Sequence, residues 1–198
     1  MAPKKIMLIR HAEKPDEKTN VLGIDEAGMP SPHQLSVRGW QRAGALVRFF
    51  APISQTGADG IHEPGTIFAA KPANGALSLR SFNTVAPLAA ALGIGINYEI
   101  GRGEECALIE SVRQSATGSV LICWRHDTIA DIARGIAENL QDIPSQWPKK
   151  RFDLVWVLDH GDTGWRFSQV AQFLLPGDQP PSVASASPNI VPCRAMAA

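Results

Sequence analysis

Three short apolar runs in this 198-residue chain each stop at a cation, and two of them stop at an arginine–histidine pair. Residues 5–9, rich in Ile, Leu and Met, end at Arg10-His11; residues 66–70 end at Lys71-Pro72; residues 119–124 end at Arg125-His126-Asp127. Runs this short, bounded by Gly, Pro or charge, read as buried strands, and helical periodicity follows each of them further along the chain. The repeated order of strand, reactive cluster and helix specifies an α/β protein. In an open α/β sheet the carboxyl ends of the strands are where ligands bind, so the pattern constrains the site as well as the fold.

The helices are read from caps and spacing. Ser36 suits an N-cap for a helix that places Val37, Trp40, Gly44 and Val47 on one face, with Arg38, Gln41 and Arg48 directed elsewhere. Residues 81–92 form a second helix, with Val85, Leu88, Ala89 and Leu92 in one stripe and Gly93 as its stop; Pro87 fits only in a first turn or at a kink. A third runs over 104–114 with Leu108, Ile109 and Val112 inward, and a fourth carries Ile129, Ile132, Ala133 and Ile136. Residues 152–158 are another strand, and Gly161 to Gly164 resembles a hairpin turn into a last strand. The polar segment 14–34 reads as a long loop over the site. The expected architecture is a three-layer α/β/α sandwich with a mostly parallel sheet. One domain is expected over 1–177, followed by a flexible tail over 178–198 rich in Pro, Ser and Ala.

Charge narrows the functional classes. Lys plus Arg and Asp plus Glu number 19 each, so no broad field favours nucleic acid or an anionic membrane as partner, and any anion site must be local. No apolar run approaches the ~20 residues of a membrane span, and Arg10 interrupts the first run too early for a signal peptide. A cytoplasmic location is the expectation. Cys106, Cys123 and Cys193 have no paired spacing, which argues against a disulfide framework and a cysteine zinc site; Cys106 and Cys123 are expected as small buried hydrophobes and Cys193 as a free thiol in the tail. His33, His62 and His160 read as surface histidines, Trp124 as core, and Lys71 as either a mouth residue or a solvated charge.

In the segments LIRHAEKP, LSVRGWQRA, SLRSFNTVAPLA and VLICWRHDTIA, in that order over about residues 4–140, the chain resembles the histidine phosphatase superfamily, also called the phosphoglycerate mutase-like family. The resemblance implies that His11 is a nucleophile that becomes a phosphohistidine, that Arg10 and Arg80 hold the phosphate, and that His126 is a second histidine at the phosphoryl oxygens. It implies a metal-independent phosphatase of a phosphomonoester or phosphohistidine, with no cofactor and with a phosphorylated small molecule or phosphoprotein as substrate. The proton donor is open among Asp127, Glu104, Glu105 and Glu13, and Lys14 and Arg125 are placed at the site mouth. Ala12 stands where many members have glycine, and Arg125 where a small residue is frequent. The alternatives are a phosphoglycerate-type mutase, disfavoured by the short interval between Arg80 and His126, and a non-catalytic phosphate-binding module.

Overall fold

The structure, a computed structural model, describes residues 3–53, 57–72, 78–138 and 140–181. In chain order its strands are β1 (Lys5–Arg10), β2 (Gly23–Ile24), β3 (Leu35–Ser36), β4 (Thr66–Ala69), β5 (Ile96–Asn97), β6 (Ser119–Trp124), β7 (Leu154–Gly161) and β8 (Gly164–Ala171). The helices are α1 (Val37–Phe50), α2 (Arg80–Leu92), α3 (Glu105–Arg113) and α4 (Ile129–Ile136). Six strands form one mixed sheet in the order β5-β4-β6-β1-β7-β8, while β2 and β3 pair as a separate ribbon. Pairings β4–β5, β4–β6 and β1–β6 are parallel; β7 runs antiparallel to both β1 and β8.

Strand alternation sends the two faces of β1 into different cores. Ile6 and Leu8 pack with Leu108, Ile109 and Val112 of α3 and with Ile129, Ile132 and Ile136 of α4. Met7 and Ile9 pack on the opposite face with Leu46 and Phe50 of α1 and with Val85 and Leu88 of α2. The strand is therefore buried on both sides, as a continuous apolar run requires, and each fully buried aliphatic side chain contributes about 1.5–3 kcal/mol. No helix among the described residues is long and apolar enough to cross a membrane.

Local detail departs from expectation in several places. Ser36 caps α1 as read, its hydroxyl accepting from the Gly39 amide, but the buried face is Ala43, Leu46, Phe49 and Phe50 together with Arg42. Val37 is exposed instead, because the stripe is rotated toward the side where Arg42 is neutralised by carboxylates. Pro87 lies well inside α2, and the helix continues to Leu92, where Gly93 (φ 66°) ends it in the left-handed region. The 14–34 loop is more ordered than expected: it contains β2, paired with β3, and a short 3-10 turn at Glu17–Thr19. Cys123 is buried, as expected, whereas Cys106 is exposed on α3 and disulfide-bonded, which corrects the reading of the cysteines. The chain still packs at Asp178, whose side chain is almost fully buried against Arg42. Cys193 and the tail from 182 lie outside the described residues.

Candidate active site

The register of the sheet sets the site. Arg10 is paired with Trp124, Ile9 with Cys123, and Ala69 also with Cys123, so β1, β4 and β6 end level with one another. The ladder extends one step past the strands: the His11 amide donates to the Trp124 carbonyl (3.1 Å) and the Ala70 amide to the Cys123 carbonyl (3.1 Å). Neighbouring β1 and β6 then send their chains to opposite faces, toward α1 and α4 respectively. Divergence at adjacent parallel strands opens a crevice at their carboxyl ends. Arg80, the first residue of α2, lines the same cavity, where the positive end of the helix dipole favours an anion.

His11 is almost fully buried, and its Nδ1–H donates to the Ala12 carbonyl at 2.8 Å. That bond fixes the tautomer and leaves Nε2 with its lone pair. Burial, reinforced by Arg10, Arg80 and His126, pulls the His11 pKa down to about 3, against the opposing Ala12 hydrogen bond. The ring is neutral at physiological pH, which nucleophilic attack requires. Ala12 is itself held: its amide donates to Thr84 Oγ1 (2.8 Å), and that hydroxyl donates to the Arg80 carbonyl (2.7 Å).

The cations are fixed by backbone oxygens. Arg10 donates through Nη1 to the Lys149 carbonyl and stacks its guanidinium 3.9 Å from the centre of the Phe152 ring. Arg80 donates to the carbonyls of Gln34 (3.3 Å) and Pro32 (2.7 Å), which ties α2 to the end of the 14–34 loop. Burial lowers both arginines, Arg10 to about 10, which leaves Arg10 charged at neutral pH. His126 is half-buried and held below its ordinary value by burial and by Arg10. Arg10, His11, Arg80 and His126 together line a cavity of about 180 Å³, with Lys14 and Arg125 also on its wall. A separate groove over the 14–32 segment shares Lys14 and Arg80 with it. Guanidinium forks around an unprotonated imidazole make a pocket for a planar or tetrahedral oxyanion beside a free nitrogen lone pair.

None of the four candidate proton donors lines that cavity. Glu13 turns to α1, where Arg42 binds both of its oxygens (3.1 and 3.0 Å from Nε) and Arg38 adds a further bond. Glu104 accepts from the Gly101 amide (2.8 Å) and Glu105 from the Gly103 amide (3.0 Å). Asp127 adjoins His126 but is gripped by the Arg125 fork at 3.2 and 3.0 Å. That hydrogen-bonded pairing holds its carboxyl below the usual range, so it is ionised at neutral pH and is not a proton donor in this form. Arg125 thus spends one face on an acid and the other on the cavity.

Ser81, Arg102 and, more firmly than the sequence allowed, Lys71 also line the cavity. Lys71 was legible from its place after a strand. Arg102 sits in a Gly-Arg-Gly turn with no periodicity to mark it, and only the pairing of Lys71 with Gly101 brings it to the site. Thr84 was invisible as anything but a helical position. Trp124 is core, and His33, His62 and His160 are exposed, as expected.

No family model matches the sequence, and no curated protein matches it either. Solved structures do. The mycobacterial glucosyl-3-phosphoglycerate phosphatase, in a complex with VO3, is similar at 10% identity over 85% of this chain and 98% of that one, with a TM-score of 0.53. A protein from Agrobacterium tumefaciens named as the phosphohistidine phosphatase SixA is similar at 19% identity over 85% and 97%, with a TM-score of 0.50. A third, named as an alpha-ribazole-5'-P phosphatase of Escherichia coli, is similar at 9% identity over 84% and 96%, again at 0.50. Across so little shared sequence, what is common is the arrangement of the backbone: this chain has the fold of the histidine phosphatase superfamily.

Proposed function

We propose that the protein is a metal-independent phosphatase that works through a covalent phosphohistidine on His11. The observation that carries this reading is the His11 tautomer: a buried neutral imidazole whose Nδ1–H is spent on the Ala12 carbonyl, so that Nε2 is the nucleophile. In the first step the Nε2 lone pair forms a bond to phosphorus while the bond from phosphorus to the leaving group breaks. Arg10 and Arg80 hold the nonbridging oxygens through the transition state, and His126 contributes a further donor. Water then attacks the phosphorus, the P–N bond breaks, and inorganic phosphate departs with His11 neutral again.

The reading extends to the leaving group. With no carboxyl among the described residues of the cavity wall and Asp127 held ionised, the favoured substrates are those whose leaving group departs with little help, such as a phosphohistidine or an acyl or aryl phosphate. The phosphatases with this fold, one of them named for phosphohistidine and one solved with VO3, support the reaction class. An aryl phosphate assay tests it: wild-type protein turns over para-nitrophenyl phosphate in the presence of EDTA, His11→Ala does not, and rapid quenching traps an acid-labile phosphoenzyme. Unchanged turnover by His11→Ala ends the proposal. Binding of phosphate without any phosphoenzyme would instead select the non-catalytic module.

A further inference from the structure

The cavity holds more positive charge than one phosphoryl group uses. Beyond Arg10 and Arg80, four more cations line it, namely Lys14, Lys71, Arg102 and Arg125. Two carboxylates offset them. Arg125 and Arg102 share Asp127, at 3.0 and 3.7 Å, and Lys71 meets Glu99 at 3.4 Å. Lys14 has no ion pair among the described residues. Asp127 is already committed to the Arg125 fork, so the 3.7 Å approach of Arg102 is only a loose second pairing. Glu99 is nine-tenths exposed, and ion pairs at such sites are worth little, so it leaves Lys71 free to bind another anion.

These spare cations come from three separate chain segments and meet at one place. Lys14 follows the His11 loop, Lys71 follows β4, and Arg102 lies in the turn before α3, which the bridge between Lys71 and Gly101 holds beside β4. The Lys71 amide is anchored on the Ile100 carbonyl (2.9 Å), and the Gly101 amide on Glu104 Oε2 (2.8 Å), so the turn presenting Arg102 is braced from both sides. Each of the three side chains is exposed, so they form the rim, while Arg10 and His11 form the floor. We infer that Lys71, Arg102 and Lys14 form a subsite for a second anionic group, a carboxylate or a further phosphate, carried on the leaving-group side of the substrate. This rests on the phosphatase reading for the floor of the cavity and adds the substrate class: a phosphate ester or phosphoramidate with at least one more negative charge.

Calorimetry with phosphonates, which are not hydrolysed, tests the rim independently of catalysis. Wild-type protein binds 4-carboxyphenylphosphonate about tenfold more tightly than phenylphosphonate at low salt, as one or two exposed ion pairs would give. The double variant Lys71→Gln/Arg102→Gln loses that preference, read as the ratio of its two affinities, so that the general loss of positive charge at the cavity cancels. A third probe, 1,4-phenylene bisphosphonate, distinguishes a carboxylate subsite from a phosphate one by which gains more in the wild type. Equal affinity of the wild type for all three probes, or a preference that survives in the double variant, overturns the inference. Failure of the phosphatase reading has a different signature, the absence of phenyl phosphate turnover.

Discussion

Thr84 accepts the Ala12 amide hydrogen at 2.8 Å and so holds the residue whose carbonyl orients His11. The same hydroxyl donates to the Arg80 carbonyl, which couples the His11 loop to the first turn of α2 through one buried atom. Thr84→Val keeps the shape and removes both bonds, leaving the Ala12 N–H buried without a partner at a cost of about 1–3 kcal/mol. We expect kcat for an aryl phosphate to fall at least tenfold. Thr84→Ser restores most of the rate, which thermal melts and steady-state kinetics on the three proteins would establish; a Val variant with wild-type kcat contradicts the coupling.

His11 also links stability to pH. Its folded pKa of about 3 lies below the ordinary 6.5, so the unfolded chain takes up a proton that the folded one refuses. Nothing is lost above pH 6.5. Stability then declines as pH falls from there toward 3, by up to about 1.4 kcal/mol per pH unit from this group alone. His11→Gln should therefore show a smaller loss of midpoint between pH 7 and pH 4.5 in urea titrations than the wild type. Identical slopes would mean that the imidazole is protonated in the native state.

Arg42 lies on the buried face of α1 between two carboxylates, 2.8 Å from Glu13 and 2.7 Å from Asp178, with Gln172 as a further acceptor. Burial opposes the charge on Asp178, but hydrogen bonds from Arg42 and from the amides of Leu175 and Leu174 outweigh it and keep its carboxyl below the usual range. Removing the cation strands two poorly solvated anions, so Arg42→Met should destabilise by about 3–5 kcal/mol. Adding Glu13→Gln and Asp178→Asn to that variant should recover part of the loss. Additive losses in the triple variant would show that the network is not coupled.

Asp127→Asn separates two roles for that carboxylate. If the ionised Asp127 serves only to seat Arg125, then turnover of an aryl phosphate changes by less than about tenfold, within the range for losing a partly exposed pair. A general acid would instead give a loss of ~100-fold or more that grows as the leaving group becomes more basic. Rates across a series of substituted phenyl phosphates decide between them.

The residues that read most clearly in the sequence are those whose position follows from local pattern. Arg10-His11 and Arg125-His126 terminate runs that are buried on both faces, and that boundary survives any arrangement of the sheet. Arg80 reads as a cation near a helix start, but its phosphate-holding role comes only from the wider resemblance, because that start carries no capping side chain. Arg102 depends on β4 lying between β5 and β6, which is a non-local fact. The buried face of α1 differs from the apolar pattern for a physical reason: a buried arginine breaks the stripe, and its compensating acids lie 29 and 136 residues away along the chain. The acids were open in the sequence for the same reason, since what disqualifies Glu13 is a partner on another element.

The level ending of β1, β4 and β6 makes the reactive edge sensitive to length and indifferent to much else. Side chains alternate faces with a period of two, so deleting one residue within Lys5–Arg10 would exchange the strand's two faces and draw the imidazole toward the wrong layer. No substitution at the rim can compensate for that. Variation in such a protein is therefore channelled into the loops beyond the strand ends, where new substrates can be accommodated one side chain at a time, while the number of residues behind the histidine stays fixed.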